Sequence, residues 1–253
     1  MLTSVDAIRD TRPGYRPYRL RIGATRALTP HFRQLTFIGD DLSTFGTDGL
    51  DQRIKILVPF EDGTTCSLDQ PSWYQHWRTL PTDRRNPIRT LTVRAVRPWA
   101  NELDVIVASH GGTGPLGRWL QRVRPGDEVV VVGPDARSLD CGQGIDFRPG
   151  PAERIVLLGD ETAAPAVAAI CEQLPAWRRA LVLVEVPTAG DRLPVEHGPH
   201  VDLRWLPRAH GPVGSRLVPA VRALLDHAGN RLDGARTAQA QHVPEIDVDT
   251  ELL

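Results

Sequence analysis

Lysine is nearly absent from this chain, cysteine occurs three times, and no apolar run is long enough to cross a bilayer. Of 30 basic residues only Lys55 is a lysine, an arginine bias of the kind a GC-rich bacterial genome imposes. Basic and acidic residues balance at 30 against 31, so bulk charge proposes neither nucleic acid nor an anionic membrane as a partner. Cys66, Cys141 and Cys171 are odd in number and have no CxxC spacing, which argues against a disulfide framework or a zinc site and predicts buried free thiols. No histidine pair has metal-ligand spacing, and His197 with His200 reads as a turn, so no metal is expected. A stretch of about 18 apolar residues occurs nowhere and the first residues lack an apolar signal core. The expected location is therefore the cytoplasm.

The 253 residues, 41% of them hydrophobic, suffice for one large or two modest domains with a real core. Residues 1–14 read as a loose polar arm. Short alternating segments then recur at 18–25, 32–38, 53–59, 89–96, 103–109 and 128–132, which predicts a six-stranded antiparallel β-barrel over 15–136. One helix interrupts them at 114–123, with Leu116, Trp119, Leu120 and Val123 on one face. A Gly, Asp and Pro rich stretch at 137–151 reads as a linker. Beyond it the pattern changes to "RIVLLGD", a continuous apolar strand, "ETAAPAVAAICEQL", a helix, and two further buried strands, "RALVLVEVP" and "HVDLRWLP". Together they predict an α/β parallel-sheet domain over 152–229. Its last helix, at 215–229, is expected to turn Leu217, Val221, Leu224 and Leu225 to the sheet and to stop at Gly229. Residues 230–253 read as a polar tail.

Four stretches carry chemistry. In "SHGGTGPLGRW" a strand gives way to glycines at 111, 112 and 114 and a helix starts near Pro115, a geometry that binds phosphate or merely connects strand to helix. "IRTLTVRAV" is a strand with Arg89 near its start. "GDETAAP" offers Asp160 or Thr162 as a helix cap, or as ligand contacts. The long connection 70–85 holds Trp73, Tyr74, His76 and Trp77, which either wall a pocket with His76 or Asp83 as polar handle or plug one end of the barrel. His110 is either a structural histidine or a base.

Taken in order, "ALTPHFRQLTFIGDDLSTF", "RTLTVR", "HGGTGPLGRW", "PGDEVVVVGP", "LLGDETAAPAV" and "LVEV" resemble the siderophore-interacting protein family, the FAD-dependent ferric-siderophore reductases of ferredoxin-reductase-like fold. The resemblance implies an FAD-binding barrel followed by an α/β domain that receives NAD(P)H. It places Arg89 on the flavin pyrophosphate, Thr92 on the isoalloxazine edge, and His110, Gly111, Gly114 and Pro115 around the phosphates. The family's stacking tyrosine falls at Leu91, and its phosphate-binding hydroxyl falls at Gly117. Those two departures are expected to cost roughly 0.5–1.5 and 1.5–3 kcal/mol of flavin binding. The family's Trp-x-Ala-Gly-Glu strand and Tyr-Trp-Arg segment are not found past the last helix, so the α/β domain is expected to be truncated and NAD(P)H binding is in doubt.

With FAD weakened or lost, the favoured reading is a repurposed enzyme, a cyclase or isomerase of a hydrophobic, polyketide-like metabolite. Its pocket would be lined by Trp73, Tyr74, Trp77 and Leu91, with His76 and His110 as catalytic candidates. The alternatives are an FAD-dependent NAD(P)H reductase of ferric siderophores and a non-catalytic siderophore or metabolite binder. Oligomeric state is not legible.

Overall fold

A computed structural model describes residues 8–68, 72–109, 111–112 and 114–232. Six strands, β1 (Tyr15–Ala27), β2 (Phe32–Ile38), β3 (Arg53–Leu57), β4 (Ile88–Arg97), β5 (Glu102–Ala108) and β6 (Glu128–Pro134), close into an antiparallel barrel in the order β1-β2-β5-β4-β3-β6. The period of two that marks them in the sequence sends Ile22, Phe37, Ile54, Ile56, Val105 and Val131 to the interior, where all are essentially inaccessible. Helix α1 (Trp73–Thr79) lies between β3 and β4 in the chain, and α2 (Gly114–Arg122) between β5 and β6. Trp119 and Leu120 of α2 join the barrel core with Val123 just beyond, each such burial contributing roughly 1.5–3 kcal/mol.

The second unit is a parallel sheet, β7 (Arg154–Gly159), β8 (Arg179–Val186) and β9 (Val201–Pro207), in that order, with α3 (Ala164–Gln173) and α4 (Leu217–Leu232). Ala180, Val182, Val184 and Val186 share one face of β8 and pack with Ala164, Val167 and Cys171 of α3. Phe32 and Ile106, on the outer surface of the barrel, belong to the same cluster. Helix α3 therefore lies between barrel and sheet, touching β4, β5 and β7, while α4 serves the opposite face of β8.

Two polar contacts lock the units together. Asp191, fully buried in the β8–β9 connection, accepts hydrogen bonds from Thr29 Oγ1, the His31 backbone N–H, and both the backbone N–H and Oγ1 of Thr188, all within 2.9 Å. The His31 ring Nδ1 lies 2.8 Å from its other oxygen. Thr29 and His31 come from the β1–β2 turn, so one carboxylate gathers donors from both domains. Arg94 of β4 pairs with Glu172 of α3 at 2.5 Å.

Several expectations are corrected. Residues 10–14 are docked, with the Asp10 N–H bonded to the Arg137 carbonyl and the Leu139 N–H to that of Asp10, so the polar arm is not loose there. The connection 70–85 contains α1 and is not structureless. Strand β7 is an edge strand with Val156 57% and Leu158 43% exposed, because α4 covers β8 and leaves the outer face of β7 open. Leu225 is 65% exposed and does not face the sheet, and α4 continues through Gly229 to Leu232. Asp160 and Thr162 do not cap α3: Asp160 Oδ1 accepts from the Thr162 N–H and hydroxyl in a local turn, and the helix starts two residues after Thr162. Residues 233–253, the bulk of the polar tail, lie outside the described residues.

Cys141 and Cys171 are buried, but Cys66 is only half-buried. Burial pushes the Cys171 thiol up to about 11 and raises the other two as well. A thiol reagent at pH 8 is thus expected to label the folded chain at Cys66 first. Cys141 and Cys171 should react only after denaturant is added; rapid labelling of all three in the native protein would contradict this packing.

Candidate functional site

Strand β3, the start of β4, α1, α2 and the connection after β6 enclose a groove of about 1130 Å³. Its floor is the outward face of paired strands. Lys55 stands opposite Thr90 and donates to its hydroxyl at 2.9 Å, with Arg53 two residues before it. Arg89 is exposed and opens into the same groove, its Nη1 bonded only to the Ile88 carbonyl at 2.7 Å. Helix α2 adds Pro115, Arg118 and Arg122, whose spacing of three and four residues places them on one face. Arg122 donates to the carbonyls of Pro59 (3.1 Å) and Phe60 (2.8 Å), tying α2 to the loop that leaves β3.

Helix α1 supplies an aromatic shelf. Trp73 and Trp77 pack on a small outer core with Leu57, Leu68 and Ile88. The Trp77 indole N–H donates to the Asn86 carbonyl at 2.9 Å. Asn86 is itself fully buried: its amide donates to the carbonyls of Val58 and Thr64 and its oxygen accepts from the Cys66 N–H, so one residue fixes shelf and loop together. Tyr74 lies nearly parallel to Trp77, with ring centres 5.8 Å apart, and the Arg85 guanidinium sits 5.3 Å from the Trp77 centroid.

The far wall is residues 140–148, which the sequence suggests is a linker. The Asp51 carboxylate accepts from the N–H groups of Asp146 and Phe147, Arg53 pairs with Asp146 at 2.7 Å, and the Tyr15 hydroxyl donates to the Gln143 carbonyl at 2.7 Å. Burial raises the Tyr15 phenol far above its ordinary range, so it remains a neutral donor. Among the described residues, seven cationic side chains line the groove against three acidic ones. Among the described residues, Arg85, Arg89, Arg118 and Arg148 have no carboxylate partner. A cationic groove with a flat aromatic shelf suits an anionic ligand that carries a ring.

The glycine turn before α2 is closely built. Gly111, Gly112 and Gly114 all have positive φ, between 69° and 84°, where other residues are strained. A side chain at Gly117 would put its Cβ 3.1 Å from the Gly112 Cα, so Gly112 would have to give by a few tenths of an ångström to admit one. Gly117 thus allows a close approach of Gly112 to α2.

The expected site residues divide. Trp73, Tyr74, Trp77, Arg89 and Pro115 share the groove. Leu91 instead packs on the barrel core opposite Ile54, and Leu91, Thr92, His76 and Gly117 do not line the groove. His110 lies outside the described residues. No group of histidine, cysteine or carboxylate side chains able to hold a metal occurs among the described residues, and no helix there is long and apolar enough to cross a membrane. Arg118 with Arg122, and Arg53 with Lys55, went unrecognised, although their spacings of four and two were visible.

The other place where an α/β unit holds ligands, the C-terminal edge of its sheet, is filled by side chains. Just after β7, Glu161 is buried and takes both terminal nitrogens of Arg208, which follows β9, at 2.5 Å each. Glu185 near the end of β8 accepts from the N–H groups of Gly214, Arg216 and Leu217 and so occupies the N-terminus of α4. Burial alone would raise its carboxyl, but those three donors and Arg208 outweigh it and hold it below the ordinary range.

A family model described as a siderophore-interacting FAD-binding domain matches residues 21–138, and one described as siderophore-interacting protein matches 152–233. An uncharacterized protein of Mycobacterium tuberculosis is 33% identical over 215 residues, 83% of this chain and 71% of its own length. The ferric vibriobactin reductase ViuB of Vibrio cholerae is 28% identical over 196 residues, 76% of this chain and 66% of that protein. The structure of the siderophore-interacting protein SipS from Aeromonas hydrophila matches with a TM-score of 0.63 at 27% identity, covering 90% of this chain and 77% of that one.

Proposed function

The chain belongs to the siderophore-interacting protein family, and from that premise we propose that it is an FAD-dependent reductase of ferric siderophores. The observation that carries the reading is the groove, which Arg89 lines together with Pro115 and Arg118 of α2 and in which Arg85, Arg89, Arg118 and Arg148 have no carboxylate partner among the described residues. The relatives favour this over a cyclase or isomerase, since ViuB is named for ferric reduction and nothing in the groove speaks for polyketide chemistry.

The residues fit the cofactor. The Arg89 guanidinium is free of acidic partners among the described residues and matches a diphosphate, and α2, which enters the groove with Pro115 and Arg118, would offer N–H groups of its first turn to the oxygens. When bound, FAD supplies the redox centre through which electrons reach ferric iron. The surplus cations, Arg118 and Arg148 among them, would draw in an anionic iron chelate and hold it beside that centre. The stacking deficit expected at Leu91 loses weight, because Leu91 serves the barrel core.

Purified protein mixed with FAD should give a flavin spectrum that stays with the protein on gel filtration. With a reductant added it should reduce a ferric siderophore, read as ferrous iron trapped by a colorimetric chelator. A colourless protein that retains no FAD at tens of micromolar would sink the reading. Conversion of a metabolite to a product of unchanged mass, without flavin, would restore the cyclase.

A further inference from the structure

The two edges of the parallel sheet are guarded unequally. On β9 the outward residues Asp202 and Arg204 are exposed and paired with each other, and the strand ends at Pro207. Charges and proline are what keep an edge strand from pairing with a foreign one. Strand β7 has neither after Arg154: it runs Ile155, Val156, Leu157, Leu158, Gly159, with Val156 and Leu158 exposed on the side of the sheet that carries α4. Among the described residues β7 pairs with β8 alone, so every second residue leaves its N–H and C=O unpaired on the outer edge.

We propose that this edge is an interface between two copies of the chain, which join β7 to β7 antiparallel about a two-fold axis at Leu157 and so run two three-stranded sheets into one of six. The strand is its own complement in that register. Arg154, Val156, Leu158 and Asp160 alternate onto one face. Turned about Leu157, Arg154 of each copy stands opposite Asp160 of the other and Val156 opposite Leu158, so charge meets opposite charge and apolar meets apolar. A parallel joint would set Arg154 against Arg154, and an axis one residue earlier would set it against Leu158. Arg154 is exposed and has no ion pair among the described residues, and Asp160 uses Oδ1 for the N–H and hydroxyl of Thr162, with Oδ2 unbonded among those residues. Val218 and Leu225, both exposed on α4, add apolar surface on the same side of the sheet. Such pairing is isologous, uses the β7 edge of both copies and stops at two.

Sedimentation of the full chain between about 1 and 100 µM measures the association. The mass should climb from one chain of 27.9 kDa towards two. Val156→Lys, at an exposed position, should weaken pairing at least about tenfold without lowering the melting temperature. None of these residues lines the groove, so flavin binding should be the same in this variant and the wild type. Arg154→Asp and Asp160→Arg chains should each stay single alone, since like charges then face each other, and should pair when mixed, because the mixed dimer restores both opposite-charge contacts. If the Asp160→Arg chain folds poorly, Val156→Lys carries the test by itself. A wild-type chain that stays single at about 100 µM overturns the proposal; protection of its β7 amides from hydrogen exchange would then name residues 233–253 of the same chain as the occupant. A dimer that survives Val156→Lys overturns it too, its interface lying elsewhere, and two folded charge variants that fail to pair when mixed overturn the antiparallel register.

Discussion

Replacing Arg208 by alanine is expected to lower the unfolding free energy by about 3–5 kcal/mol. The two carboxylates it faces, Glu161 and Glu185, are 1% and 0% exposed, and its own side chain is only 10% exposed. Glu185 keeps three backbone donors when the guanidinium goes, while Glu161 loses the two parallel bonds that the guanidinium makes to its oxygens. Removing one partner of a buried ion pair costs more than the intact pair contributes, and the loss is a large share of the roughly 5–15 kcal/mol a domain commands. Arg208→Lys should recover only part, because an ammonium cannot make the two parallel bonds. Urea denaturation followed by circular dichroism measures the effect. A loss below about 1 kcal/mol for Arg208→Ala would mean that the carboxylates find other cations and that the pair is not what closes the sheet edge.

Asp191→Asn is expected to cost about 3 kcal/mol at neutral pH and to flatten the acid limb of the stability curve. Every group around this carboxylate except the ring of His31 is an obligate or well-placed donor, and an amide NH₂ turned towards them accepts nothing. Burial would raise the Asp191 carboxyl, but the bonds from Thr188, Thr29 and His31 outweigh it and hold it below its ordinary value. A carboxyl depressed in the folded state contributes stability that is fully present above its unfolded value, near 4, and is lost as pH falls through the lower folded value. Glu185 acts in the same sense. The native protein should therefore be steady from neutrality down to about pH 4 and weaken steeply below it. Asp191→Asn should lose part of that steepness, and because the bonds cross between domains, its thermal unfolding should separate into two transitions. A variant with one sharp transition and an unchanged acid limb would show that the apolar contacts of α3 alone couple the units.

The strands of the barrel were legible because each alternates, and the parallel strands because they are continuous apolar runs. Helix α1 was hidden: "WYQHWRT" is rich in aromatic residues that favour strands, and its helical shape depends on packing over Leu57 and Ile88 from other parts of the chain. The wall at 140–148 read as a linker because Gly, Asp and Pro mark loops, and nothing local reveals that Asp51, some 95 positions earlier, would anchor it. The same holds for Asp191, whose partners Thr29 and His31 lie about 160 positions away. In the site, Arg89 and the aromatic residues were found from type and place. Leu91 was assigned to the cleft by analogy, while the parity it shares with Ile54 and Val93 turns it to the core.

Phe32 and Ile106 give the barrel a practical consequence for anyone who wishes to dissect the chain. Both sit on its outer wall, at 1% and 6% exposure, only because α3 and the sheet cover them. Cut at the connection after β6, the barrel half would present two bare apolar side chains together with the groove rim stripped of residues 140–148. Such a fragment would be a sticky torso and not a self-sufficient module, so expression of the halves separately is a poor route to this protein.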